Sequence, residues 1–518
     1  MAEKYEDFLD LIERIHMNDY FMTLDAGTSG GKAVIGNEKG EIVGFAKSKW
    51  SHLYRIPEDL APYGHEFDPD QFWSILINTI KDAISSAHID ASSIIAISTT
   101  SQRQGCVFLD ENGKELYAGP NRDVRGLEVD TEEFMDNDEI YDITGRGLPF
   151  IFPLARLLWF QENEEEIYEK IKHLLTIDGW INYRLTGEFT IDDTGASETL
   201  LYDITKKKWS EKILEEFEIP YEILPKKLEF GELIASILPN IARQLDLKEQ
   251  TPVFISCADS QASLIGCGAI NQGALGVVAG STMPIYFVID RPILDPERRV
   301  WTNPFLGKWV IESNAGTAGD AHQWFVESFL VKLGVEQPYD RFEELVKSQV
   351  PGAGGVQADI GPQIFNAQNM LRIPTGGFIF SPIAYMLEGN LDISAFARAV
   401  VENLSFSVRA NMEQILKIAD SSLETVNVVG GLARSKSFCQ VLADVIQADV
   451  HVFIPEGASL AGFISSMVGT ERFNTVDEAI SQLITDKEVF SPNEEYKAEY
   501  TTLFSQWLEI YEKSREED

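Results

Sequence analysis

From Tyr20 the chain reads Tyr20-Phe21-Met22-Thr23-Leu24-Asp25, then Ala33-Val34-Ile35-Gly36 and Ile42-Val43-Gly44-Phe45-Ala46, short apolar blocks separated by polar, glycine-bearing turns. This pattern predicts three strands joined by tight turns, an antiparallel opening. Ahead of them, Phe8, Leu9, Ile12 and Ile15 recur at helical spacing between Lys4 and Ile15 and predict a packing arm. After them the period changes. Phe72, Leu76, Ile80 and Ala83/Ile84 form a helical stripe behind Asp68-Pro69, a good N-cap with proline at the first helical position, and Ile94 to Ile97 returns as a strand.

The second half repeats this grammar in pattern but not in identity. Val253 to Cys257, Ala274 to Ala279, Ile285 to Val288 and Trp309 to Ile311 read as strands. Asp392 caps a long helix whose stripe runs through Ile393, Phe396, Val400, Leu404, Val408, Met412 and Ile415, a plain core face. Thr425 to Val429 and Val450 to Ile454 then flank a helix starting near Ser437, a β-α-β unit. The polar stretch Leu245 to Gln250 marks the main boundary. The expected organisation is an arm at 1–19 and two α/β lobes at 20–250 and 251–518. The acidic run Glu162 to Glu166 reads as a solvated helix face.

Composition narrows the functional classes. With 43 basic and 82 acidic residues among 518, the net charge of −39 repels nucleic-acid backbones and anionic lipid. No apolar run approaches the ~20 residues of a membrane span, and the first residues lack a basic region followed by an apolar one. Cys106, Cys257, Cys267 and Cys439 make no CxxC or metal-finger spacing, and no HExxH occurs. A soluble, cytoplasmic protein without structural zinc is expected.

Four segments carry chemistry. Leu24-Asp25-Ala26-Gly27-Thr28-Ser29-Gly30-Gly31-Lys32 lies between two strands and offers backbone N–H groups, hydroxyls and an ammonium to a phosphate. It is neither GxxxxGK[ST] nor GxGxxG, and a strand follows where those motifs open a helix. Asp25, at a strand end, is suited to Mg²⁺, usually through water. Gly280-Ser281-Thr282 puts a similar turn between two later strands, Asp259 stands just beyond an apolar strand where it could accept a hydroxyl proton, and Gly430-Gly431-Leu432-Ala433 joins a strand to a helix. Taken singly, the glycine segments read first as ordinary structural turns and Asp259 is open to reading as a helix cap.

Their order is more specific than any one of them. LDAGTSGGK from Leu24, CADSQASLIGCG from Cys257, AGST from Ala279 and VVGGLARSKSFCQVLAD from Val428 resemble the FGGY carbohydrate kinases, relatives of actin, heat-shock ATPases and hexokinase, over about Tyr20 to Phe473. Leu185-Thr186-Gly187-Glu188, Asp193 and Ala196-Ser197 are similar to a further family segment. The resemblance implies an α/β protein of two RNase H-like lobes with a cleft that closes on ATP and a sugar or polyol. It implies Asp259 as general base, and Asp25 with Asp259 as the Mg²⁺ carboxylates. Gly27, Thr28, Ser29 and Lys32, with Gly280, Ser281 and Thr282, would meet phosphates, and Gly316, Gly319, Gly430, Gly431 and Ala433 would border the nucleotide. The second turn reads Gly-Ser-Thr where many relatives have Gly-Thr-Ser or Gly-Thr-Thr, which keeps both hydroxyls.

Gln102, Arg103 and Gln104, with Asp123 and Arg125, fall in stretches that contact the acceptor in relatives, and their donors and acceptors suit a small polyol. A structural Arg-Asp pair is the competing explanation for the latter two. The first stretch is neither the Gln-Arg-Glu-Thr of glycerol kinases nor the Gln-Met-His-Gly of xylulokinases. Lys49 to Leu53, Asn121 to Arg125 and Leu154 to Phe160 look most like the autoinducer-2 kinase branch, although Arg103-Gln104 departs from its Arg-Glu. The partner implied is a small-molecule sugar or polyol, with no nucleic acid and no membrane, and a homodimer is compatible. A xylulose-, pentulose- or glycerol-type kinase is the alternative within the family, and a nucleotide-dependent sensor or a hydrolase on the same lobes are the rival classes.

Overall fold

The computed structural model describes residues 19–369, 376–381, 391–453, 457–485 and 487–516. The expected arm at Lys4 to Ile15 lies outside them, as does Ile454. The chain divides into two compact units, one of residues 1–144, 149–265 and 458–485, the other of 145–148, 266–457 and 486–518.

In the first unit, β1 (Tyr20–Ala26), β2 (Gly30–Asn37) and β3 (Ile42–Lys49) form the expected antiparallel meander. Helix α1 (Pro69–Ala87) follows, capped as its sequence requires: the Asp68 side chain accepts from Gln71 N at 3.0 Å. It leads to β4 (Ile94–Ser101), parallel to β1. A short helix, α2 (Asp193–Ser197), precedes β5 (Leu233–Ser236) and β6 (Pro252–Phe254), and the sheet order is β5-β6-β4-β1-β2-β3. Met22, Leu24 and Ile97 pack against Leu76, Ile77 and Ile80 of α1 in its core. Helix α3 (Asp259–Gly266) carries the chain out of this unit.

The second unit repeats the topology. β7 (Leu275–Val278) and β8 (Pro284–Ile289) pair antiparallel, β9 (Trp301–Phe305) and β10 (Lys308–Asn314) extend the meander, and after α4 (Ala318–Val326) and α5 (Pro338–Lys347) comes the long helix α6 (Ile393–Ile418). β11 (Thr425–Val429) runs parallel to β7; α7 (Lys436–Ile446) returns to β12 (Asp449–Val452), parallel to β11. The order is β9-β10-β8-β7-β11-β12 with a further edge strand, Glu488–Phe490. Val400, Leu404, Val408, Met412 and Ile415 of the predicted stripe are all in the core, and Asp392 caps α6 through Ser394 N at 2.8 Å. The turns β1–β2 and β7–β8 thus occupy equivalent positions in two RNase H-like folds.

The expected division at 250/251 is displaced. β6 pairs with β4 and β5, so residues 251–265 belong to the first unit, and Asp259 with them. The chain returns there again through helix α8 (Gly457–Gly469), which begins where Gly457 meets Gly266: a Cβ on Gly266 would fall 2.1 Å from the Gly457 carbonyl oxygen. The strand expected at Val253 to Cys257 stops at Phe254, and Glu162 to Glu166 is exposed but split by a helix end at Asn163.

Candidate active site

β1 carries Asp25 to the edge of the first turn, Gly27-Thr28-Ser29. Asp25 faces Lys32 in the β1–β2 register, its Oδ2 lying 3.5 Å from Lys32 Nζ. The turn is gripped from outside. Trp50 Nε1 donates to the Gly27 carbonyl at 3.1 Å, Tyr54 OH donates to the Thr28 carbonyl at 2.6 Å, and Asn121 Nδ2 meets Thr28 Oγ1 at 2.9 Å. A Cβ at Gly31 would fall 2.3 Å from the Trp50 ring, so this glycine answers to the indole.

Asp259 is the first residue of α3, and Ser260 Oγ donates to its Oδ1 at 3.1 Å. Burial, and then the nearby charge of Asp25, push its carboxyl up to about 7 against the pull of Arg103. A carboxylate poised there accepts a hydroxyl proton far better than an ordinary aspartate. Two mutually repelling carboxylates also fit a divalent cation. Among the described residues no group of three or more His, Cys, Asp and Glu could hold a metal. Mg²⁺ takes one or two carboxylates and completes its shell with water and phosphate oxygens, so Asp25 and Asp259 would be enough to hold it.

The stretch after β4 gathers beside this pair. Arg103 NH1 lies 3.6 Å from Glu198 Oε1, and Gln104 Nε2 donates to Glu198 Oε2 at 2.5 Å. Gln104 is held at φ 59°, a left-handed conformation costly for a residue with a side chain. Gln102 Oε1 accepts from Asn121 N at 3.0 Å and so ties this stretch to the first turn. Asp123 and Arg125 are placed otherwise. Both are fully buried, Arg125 Nε bonds both Asp123 oxygens at 3.1 and 3.0 Å, its NH2 reaches Glu66 at 2.6 Å, and Tyr117 OH donates to Asp123 at 2.9 Å. They are a structural pair, with the guanidinium 4.7 Å from the Tyr117 ring centre and 4.8 Å from that of Trp159.

In the second unit, Gly280, Ser281, Gly319 and Gly431 line a cavity of about 600 Å³, in the range of small-molecule sites. The second turn is stitched in place: Met283 N donates to Gly316 O at 3.1 Å, Ala279 N to Val429 O at 2.7 Å and Leu432 N to Ala279 O at 3.0 Å. Gly319 packs so tightly beneath it that a Cβ would fall 2.1 Å from Gly280 O. Thr282, Gly430 and Ala433 support the turns without lining the cavity, and Gly316 borders a different one of about 690 Å³. The lining of the 600 Å³ cavity also includes His322 and Tyr339, which stack with ring centres 6.1 Å apart. Burial pushes the His322 imidazole down to about 4, so it is neutral at physiological pH. Glu343 takes up the start of α7, accepting from Ser435 Oγ and, at 2.8 Å, from Ser437 N.

Sequence reasoning missed Tyr54, Glu198, His322 and Tyr339. Glu198 directly follows Ala196-Ser197 and was within reach of a motif search; the aromatic residues carry no local signal.

One RNase H-like unit thus holds a carboxyl raised to about 7 beside a turn of glycine and hydroxyl residues, and the other a glycine-lined cavity. Residues 20–266 match the FGGY family of carbohydrate kinases, N-terminal domain, and residues 277–465 its C-terminal domain. The chain belongs to the FGGY family of carbohydrate kinases and is a phosphotransferase acting on a sugar hydroxyl. Among individual proteins it is similar to the autoinducer-2 kinases of Salmonella paratyphi B, 28% identical over 511 residues (96% of this chain, 94% of that one), and of Yersinia enterocolitica, 28% over 513 (95% and 94%). Its fold is shared by xylulose kinase from Lactobacillus acidophilus, with a TM-score of 0.82 at 21% identity over 95% of this chain and 97% of that one. Plasmodium falciparum glycerol kinase with ADP gives 0.81 at 20% over 96% and 98%. No helix among the described residues is long and apolar enough to cross a membrane.

Proposed function

We propose that the protein transfers the γ-phosphoryl group of ATP, as its Mg²⁺ complex, to a hydroxyl of a small linear polyol or ketose-like compound, the autoinducer-2 precursor being the first to test. The reading rests on one observation above the others: the chain matches both domains of the carbohydrate-kinase family, with Asp259 opening α3 in the same unit as Asp25 and the Gly27-Thr28-Ser29 turn. Asp259 takes the proton as the acceptor oxygen forms its bond to phosphorus and the bond to the β-phosphate oxygen breaks, releasing ADP. Gln102, Arg103 and Gln104 with Glu198 supply donors and acceptors for the other hydroxyls. Asp25 and Asp259 would hold the ion, which neutralises phosphate charge when bound. The 600 Å³ cavity of the second unit takes the nucleotide, with Gly280 and Ser281 toward its phosphates.

Autoinducer-2 chemistry is favoured over glycerol by the 28% identity to such kinases along nearly the whole chain. Coupled ADP release over pentuloses, glycerol, other polyols and the autoinducer-2 precursor tests both class and substrate. Asp259→Asn should lower turnover by about a thousandfold or more at unchanged ADP affinity. Near-normal turnover in that variant would remove Asp259 from the mechanism.

A further inference from the structure

The Cys257–Ala258 peptide unit, one peptide upstream of the unit that carries the Asp259 nitrogen, is held at both ends by threonine hydroxyls. Thr100 Oγ1 donates to the Cys257 carbonyl at 2.7 Å, and the Ala258 N–H, on the same peptide plane, donates to Thr194 Oγ1 at 2.9 Å. Neither contact is incidental to a regular ladder, because β6 has ended at Phe254 and α3 has not begun. Both threonines are buried, at 0% and 3% exposure.

Each hydroxyl is anchored in turn. Thr194 Oγ1 has one proton, which it gives to Asp192 Oδ2 at 2.7 Å, leaving a lone pair for Ala258 N–H. Asp192 is itself fixed by the N–H groups of Thr194 and Gly195, at 2.8 and 2.9 Å, as the cap of α2. Thr100 stands on β4 in register with Asp25 on β1. The plane that leads into the base is therefore tied on one side to the strand beside Asp25 and on the other to a buried helix cap. A planar peptide held at its oxygen and its nitrogen fixes the Ala258 Cα, the backbone atom from which the chain turns into Asp259.

We propose that Thr100 and Thr194 are positioning residues, which act through the Cys257–Ala258 peptide to hold the Asp259 carboxylate at a fixed place relative to Asp25. This rests on the reading of Asp259 as general base. It also gives a task to the segment around Asp193 and Ala196, otherwise unused by the chemistry. A base displaced by about 1 Å loses on the order of a hundredfold in rate, and losing one of two ties should cost part of that.

The test uses Thr100→Val and Thr194→Val, which keep shape and remove the hydroxyl, together with Thr→Ser at each position and Asp259→Asn, in the full chain. Expected is a fall in kcat of about tenfold or more in each valine variant, with ADP affinity within twofold of wild type and turnover restored by serine. A purely structural role would lower the melting temperature while leaving kcat per folded molecule unchanged. If a valine variant does not fold, Thr→Cys, with its weaker hydrogen bonding, should show a smaller fall in kcat at unchanged ADP affinity. Valine variants, or failing them cysteine variants, that turn over within twofold of wild type overturn the proposal. Should Asp259→Asn itself remain active, the general-base reading fails first, and the two failures are told apart.

Discussion

Asp25 and Lys32 face each other across the β1–β2 pair, with 3.5 Å between carboxylate and ammonium. The side chain of Lys32 is 36% exposed, so the pair adds little to stability, about 0–1 kcal/mol. Its importance is electrostatic, since Asp25 already raises the carboxyl of Asp259. Lys32→Met should leave the melting temperature nearly unchanged, and should move the acid limb of the kcat/KM profile to higher pH as the two aspartates repel with less compensation. Lys32→Arg should keep the wild-type profile.

Asp259 gives a second, thermodynamic expectation. Its carboxyl is raised from the ordinary value to about 7 in the folded protein. Between about pH 4 and 7 the unfolded chain is ionised while the folded one holds its proton, so this group lowers stability as pH rises through that window, with the full cost present above 7. In metal-free protein, Asp259→Asn should melt higher than wild type at pH 8, and the gap should shrink as the pH is lowered toward 4. Thermal melts across that range check it.

The buried Asp123–Arg125 pair should behave as structure. Arg125→Met strands the carboxylate of Asp123, which is 0% exposed, and removal of one partner of such a pair costs about 3–5 kcal/mol. The acceptor KM of the molecules that still fold should stay within a few fold of wild type. Asp123→Leu with Arg125→Met should recover a large part of the lost stability, measured by denaturant unfolding.

In the second unit, Gly319→Ala sets a methyl group 2.1 Å from the Gly280 carbonyl oxygen. Backbone must move to admit it, at a cost of about 1–3 kcal/mol. The turn that moves lines the 600 Å³ cavity. ADP affinity should fall by about tenfold or more, read by calorimetry, while acceptor binding to the first unit is unaffected.

Much of this architecture was legible because short apolar blocks and capped helical stripes report burial directly: β1 to β4, α1 and α6 lie where their patterns put them. The boundary was not. Leu245 to Gln250 is polar because it follows a surface helix, Pro239–Gln244, and polarity reports exposure without telling which sheet the next strand joins. Asp25 and the two glycine turns could be picked out as candidates because each sits at a strand end, and Asp259 because it follows an apolar strand and opens a helix, all in a fixed order. Asp123 and Arg125 show the opposite limit. Groups that suit a polyol suit each other equally well, and only packing decides. Thr100 and Thr194 were invisible, because a hydroxyl that clamps a peptide has no spacing of its own until β4, α2 and β6 are assembled.

The backbone meeting of Gly266 and Gly457 carries a last consequence. Each of these residues stands where a helix passes from one unit to the other, and at Gly266 the added atom of even an alanine would collide with main chain, which cannot swing aside as a side-chain tip can. Saturation mutagenesis with selection for growth on the substrate should therefore recover glycine alone at codon 266, a narrower tolerance than at many positions that touch ligand.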